Sequence, residues 1–154
     1  MEIIEYKNAY KQDFIDLNID WIKRFFVPEE ADYEVLNQIE SLLDSGSMIY
    51  FALEDNHVLA TCMAMPLGDD VWEICKLAAA GQSTGKGAGS AVFKASMDYA
   101  IEHGAKEAHT DFKQDTETGP AHLSKYGFKE VPLNKDYWGF ERADIEFEYI
   151  PRFD

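Results

Sequence analysis

Between residues 11 and 26 apolar side chains return at Phe14, Leu17, Trp21 and Phe25, steps of three and four that predict an amphipathic helix. Pro28 ends it, because the residue before a proline is pushed out of the helical region. Residues 32–44 put Leu36, Ile39 and Leu43 on one face, and Gly46 follows as a stop. Around these stretches the period shortens. Residues 3–6, 48–53, 58–65 and 71–79 read as strands, the second and third joined through Glu54-Asp55-Asn56-His57, a hairpin by its turn composition. Helical spacing resumes over residues 87–102, with Ala88, Ala91, Val92, Ala95 and Tyr99 in phase and His103-Gly104 closing the helix. Residues 107–112 predict a strand and 119–126 a short helix ended by Gly127. Residues 128–133 and 143–150 form a last pair of strands. The order β-α-α-β-β-β-α-β-α-β-β contains no repeat, linker or low-complexity tract, so one α/β (α+β) domain over residues 1–154 is expected.

Composition narrows the class. No run approaches the ~18 apolar residues of a membrane span, and the opening MEIIEYKNAY lacks the basic-then-apolar layout of a signal peptide. A cytoplasmic protein is the expectation. Cys62 and Cys75 sit inside apolar strand-like runs and read as reduced core thiols. His57, His103, His109 and His122 show no metal-ligand spacing, so no metal is expected. The formal charge of −15 disfavours nucleic acid and anionic membrane as partners and would attract a cationic amine.

The most informative segment is KLAAAGQSTGKGAG, residues 76–89, a small-residue strand end running into a glycine-rich turn and a helix start. Gly85, Gly87 and Gly89 leave backbone bare where a ligand could approach. The amides of such a turn and of the following helix start make an anion site, with phosphate or pyrophosphate as the expected guest. A P-loop fails on spacing, since only three residues separate Gly81 from Gly85-Lys86, and Gly87 replaces the Mg²⁺-binding hydroxyl. A dinucleotide fingerprint fails because Gly89 closes one residue early.

The pattern Q/R-x-x-G-x-G/A is met in full by Gln82-Ser83-Thr84-Gly85-Lys86-Gly87, and here the chain resembles the GNAT (GCN5-related) acetyltransferase superfamily. The order of elements resembles that fold from end to end. The resemblance implies a mixed, mostly antiparallel central sheet splayed after its fourth strand, with helices on both faces and acetyl-CoA as cosubstrate. It places the pyrophosphate on Gln82, Ser83, Thr84, Gly85, Lys86, Gly87, Ala88, Gly89 and Ser90, with Lys125 as a further cofactor contact. The pantetheine arm would lie along Leu77, Ala78 and Ala79, hydrogen-bonded to strand backbone as an added strand would be.

Acyl transfer from a thioester to an amine needs a neutral nitrogen, hence a base, and a proton or donor for the leaving thiolate. Glu73 is the candidate base, because a glutamate at the corresponding strand position serves as base in several members. Alternation turns it away from Trp72 and Ile74, onto one face with Cys75 and Leu77. The acid position departs from the family pattern Tyr-x-x-x-Gly-Phe. Gly127-Phe128 is kept, but Leu123 stands at the tyrosine position and Thr116 where an asparagine often steadies the pantetheine. Tyr126, beside Gly127, stands where the family usually has a plain apolar residue and reads as core; it is the second catalytic candidate.

In this fold the first helices and the last hairpin shape the acceptor site, which here offers Phe26, Glu29, Tyr137 and Trp138. Aromatic rings interleaved with carboxylates suit an organic cation. The expected activity is an N-acetyltransferase acting on a primary amine, small or peptidic, by direct attack in a ternary complex, the protein being a monomer or homodimer. The missing tyrosine and asparagine keep open a catalytically silent acyl-CoA-binding or sensing module. The glycine turn by itself would also suit a nucleotide-binding regulatory domain.

Overall fold

In the computed structural model of the chain, which describes residues 1–25, 27, 29–80, 87–112, 129–131 and 145–149, seven strands among those residues form one sheet. In chain order the elements are β1 (Glu2–Glu5), a 3-10 turn (Asn8–Tyr10), α1 (Lys11–Phe25), α2 (Glu30–Leu36), α3 (Ile39–Asp44), β2 (Met48–Glu54), β3 (His57–Gly68), β4 (Val71–Ala79), α4 (Ala88–Glu102), β5 (Glu107–Phe112), β6 (Lys129–Val131) and β7 (Ile145–Tyr149). The spatial order is β1-β2-β3-β4-β5-β7-β6. Every pairing is antiparallel except β4 with β5, the two strands joined through α4.

Two apolar clusters lie on opposite faces of the sheet, so the fold has three layers. Ala60, Cys62 and Ala64 of β3 and Trp72 and Ile74 of β4 pack with Val92, Phe93 and Met97 of α4. On the other face Ile49, Phe51 and Leu53 of β2 and Met63 of β3 meet Phe14, Leu36 and Ile39 of the first three helices. Strict alternation in β2 feeds both clusters from one strand. Phe51 is fully buried, with the rings of Tyr6 and Tyr10 at 6.3 and 5.6 Å. Phe51→Ala should cost about 3–5 kcal/mol of unfolding free energy, read as a lower denaturant midpoint at unchanged m-value.

The loops explain the register. Asp55 and Asn56 both have positive φ, 51° and 63°, the geometry of a two-residue hairpin turn between β2 and β3. Asp69 and Asp70 repeat it between β3 and β4, at 55° and 60°. That second tight turn lets β3 run on to Gly68, beyond the expected end at residue 65. Pro66 is tolerated there because β2 pairs with β3 no further than Met48 opposite Ala64, so no β2 carbonyl asks for the missing N–H.

Two helical expectations are corrected. Residues 32–44 form two helices, broken at Asn37-Gln38, a place where an asparagine prefers local side-chain hydrogen bonding to helical continuation. In α1 the buried side chains among those described are Phe14, as expected, with Asn18 and Ile22, while Leu17 is half-buried and the side chains of Trp21 and Phe25 lie outside the described ones. Periodicity passed over Asn18 because it is polar; its amide is satisfied by donating to the Phe14 carbonyl at 2.9 Å. The helix predicted over 119–126 lies outside the described residues.

Candidate active site

Strand β4 loses its regularity twice, and both breaks shape the site. Trp72 and Ile74 pack into the α4 cluster, so alternation turns Glu73 and Cys75 to the other face, where Cys75 packs against the first-helix cluster. At Lys76 the backbone takes φ +56°, and pairing shifts so that Lys76 and Leu77 together oppose Cys62. That extra residue is a β-bulge. It corrects the expectation for Leu77, which packs on the α4 cluster rather than sharing the face of Glu73.

The second break is the splay. β4 and β5 stay paired only over Val71–Glu73 with Glu107–His109. Beyond Glu73 the ladder of β4 with β3 continues to Ala79, while β5 from Ala108 to Phe112 pairs with β7. The strands therefore part immediately after Glu73, and the bulge and the small Ala78 and Ala79 lie along the diverging stretch.

Gly87 caps α4 in the left-handed region, φ 77° and ψ 9°, with no side chain bonded to the cap. The first hydrogen bond of the helix itself runs from Ala91 N–H to the Gly87 carbonyl at 3.0 Å, so the amides of Ala88 and Gly89 precede the helical ladder. The first turn carries no acidic residue, and a Cβ placed on Gly87 or Gly89 would meet nothing within 4 Å. Internal packing does not demand glycine there; a positive φ does at Gly87. Among the described residues no side chain caps this electropositive helix start, which is suited to an oxyanion.

Glu73 is 9% exposed, flanked in register by Met65 of β3 and His109 of β5. His109 was read in the sequence only as a histidine without metal spacing. Its Nε2 lies 3.3 Å from Glu107 Oε2, and the two side chains are 14% and 44% exposed. No sequence signal pairs residues 73 and 109, since only the parallel register brings them level. Cys62 offers no nucleophile: burial pushes its thiol up to about 12, and its Sγ donates to the Cys75 carbonyl at 3.5 Å.

Of the remaining expected residues, Glu29 is half-buried between α1 and α2 and Ser90 half-buried in the first turn of α4. Gln82, Ser83, Thr84, Gly85, Lys86, Lys125, Tyr126, Phe26, Tyr137 and Trp138 lie outside the described residues. Among the described residues no group of His, Cys, Asp and Glu could hold a metal, and no helix is long and apolar enough to cross a membrane. A separate cleft of about 500 Å³ runs beside α1, lined by Asp13, Asp16, Asp20, Lys23 and Val58; it contains neither Glu73 nor the α4 start.

The sequence matches the profile of the Acetyltransferase (GNAT) family over residues 15–128. Among curated proteins no significant sequence match was found. The structure is similar to an acetyltransferase of the GNAT family from Staphylococcus aureus Mu50, with TM-score 0.86, 17% identity and 97% and 98% of the two chains covered. It is similar to an acetyltransferase from Streptococcus agalactiae 2603, with TM-score 0.83, 20% identity and coverage of 97% and 98%. It also resembles the PaiA N-acetyltransferase from Thermoplasma acidophilum in complex with coenzyme A, with TM-score 0.72, 14% identity and coverage of 98% and 100%. At these identities the likeness is one of fold.

Proposed function

Because the chain belongs to the acetyltransferase (GNAT) family, we propose that it transfers the acetyl group of acetyl-CoA to the nitrogen of a primary amine, both reactants being bound together. The observation that carries this reading is the pairing of two features on one strand-to-helix path: a sheet that parts after Glu73 and an α4 start at Gly87 that no side chain caps among the described residues. Residues 82–90 would hold the pyrophosphate, with the amides of Ala88 and Gly89 at the positive end of the helix dipole. The stretch Leu77–Ala79 would take the pantetheine arm along its backbone. Bound acetyl-CoA supplies an acetyl group activated as a thioester.

The remaining work falls to this chain's own side chains. Glu73 takes the proton that an ammonium must lose before its nitrogen can attack. Burial holds the Cys62 thiol protonated, so that residue is not a carrier of the acyl group. The excess of carboxylates, 29 against 14 basic residues, favours a cationic acceptor. Phe26, Glu29, Tyr137 and Trp138 are the proposed acceptor-side residues, Lys125 a proposed cofactor contact and Tyr126 the second proposed catalytic residue.

Coenzyme A at a hundredfold excess over its Kd should raise Tm by roughly 5–10 °C, while NAD and ATP at equal concentration leave it unchanged. No shift with coenzyme A removes the cofactor assignment. A second reading is favoured by Leu123 and Thr116, which replace the family's tyrosine and asparagine: a module that binds acyl-CoA without turnover. Thiol release from acetyl-CoA across a panel of amines, polyamines, amino acids and peptide N-termini separates the two.

A further inference from the structure

Met65 of β3 stands directly opposite Glu73 in the antiparallel register and Met63 opposite Cys75, and partners across such a pair share a face. Met63 belongs to the first-helix cluster, with Met65 and Cys75 packed against it, which fixes that face independently. Nearer the turn, Leu67 and Gly68 together oppose Val71, so Leu67 and Val71 continue the same side. Exposure climbs along β3, from 1% at Met63 through half-buried Met65 to 38% at Leu67. Glu73 is thus a nearly buried carboxylate beside an apolar track that opens to solvent at the β3–β4 turn.

We propose that the acceptor is an apolar monoamine, its hydrocarbon tail running from Glu73 past Met65 to Leu67. The inference rests on the acetyl-transfer reading, with Glu73 as the base, and names the acceptor class for it. An ammonium drawn to Glu73 has its charge answered by the carboxylate, while its carbons come against thioether and aliphatic surface. Those carbons gain by leaving water. A second ammonium or a hydroxyl on the same stretch would exchange water for hydrocarbon and for thioether sulfur, a weak acceptor. At about 3.4 Å per residue the track from Met65 to Leu67 is roughly 7 Å long, the reach of about four to six carbons. Met65 and Leu67 are therefore the specificity-determining residues, and neither takes part in the proton transfer.

The series from n-propylamine to n-hexylamine, read as thiol release from acetyl-CoA, tests the track. The ratio kcat/KM should rise about two- to fourfold with each added methylene. With 1,4-diaminobutane it should fall at least about 30-fold below n-butylamine. Leu67→Gln, a change on an exposed side chain, should cost hexylamine about fivefold more than propylamine. Met65→Gln should flatten the whole series, and Leu67→Gln carries the test if that variant fails to fold. A flat series, or a diamine as good as the monoamine, overturns the proposal. A binding measurement separates this from failure of acetyl transfer itself. In methyl-¹³C methionine NMR with coenzyme A bound, n-hexylamine should shift the Met65 methyl signal, while Met97, in the α4 cluster on the other face, stays fixed. At the same concentration 1,4-diaminobutane should move neither. A Met65 shift without thiol release from any amine keeps the apolar-amine site and removes the transfer reading; an unmoved Met65 overturns the site.

Discussion

Gly87→Asp should weaken coenzyme A binding by about 30- to 150-fold while leaving the fold intact. Aspartate is one of the few side chains that tolerates the left-handed region, so φ 77° costs it little. Its Cβ would enter open space, with no atom within 4 Å. At an N-cap its carboxylate bonds to amides of the first turn, which strengthens the helix. Those are the amides proposed for the pyrophosphate, so the substitution both occupies the donors and sets a negative charge against the ligand. Lost hydrogen bonds and reversed electrostatics together amount to roughly 2–3 kcal/mol. Calorimetry should find the weakened Kd, and thermal unfolding of the free protein should show an unchanged or slightly raised Tm. Gly87→Asn, which caps without charge, should fall between. A Kd within threefold of wild type in the aspartate variant would move the phosphate site away from the α4 start.

The larger kinetic effect is expected at Glu73. Glu73→Gln should lower kcat/KM by about 10²- to 10⁴-fold, with coenzyme A affinity nearly unchanged. Wild-type kcat/KM should rise with pH as the carboxylate gives up its proton, since only the ionised form can accept one from the acceptor. In the variant that limb should vanish, leaving a profile that follows the acceptor amine's own ionisation. A variant within a few-fold of wild type on a confirmed acceptor would make Glu73 a structural carboxylate.

Among the described residues the order of the strands and the places of α1 and α4 were legible in the sequence, while the helix expected over 119–126 lies outside them. Residues 71–79 and 107–112 were placed with their observed bounds, because apolar runs there are punctuated by turn residues such as Gly68-Asp69-Asp70, Gly81 and Gly104. The glycine pattern pointed to the family that the profile match establishes. What periodicity missed depends on tertiary satisfaction. Asn18 is buried because one carbonyl accepts its amide, and residues 37–38 break a helix whose two halves both aim apolar residues inward. In α4 the in-phase set omitted Phe93, Met97 and Ala100, which are buried because the helix lies deep against β3 as well as β4. The face of Leu77 was misjudged since nothing in the residues around Lys76 announces a bulge. His109 gains meaning only from a parallel register that no local spacing encodes.

Lys76 behaves in this strand like one inserted letter in a reading frame. Upstream of it the odd-numbered positions Glu73 and Cys75 serve the face of the first helices; downstream Leu77 and Ala79, odd as well, serve the face of α4. A single continuous strand therefore addresses one side of the sheet before the inserted residue and the other after it. Length, more than residue type, is what this segment must conserve. Losing or gaining one residue between Glu73 and Ala79 would turn the strand end beyond it to the opposite face, out of phase with the proposed base.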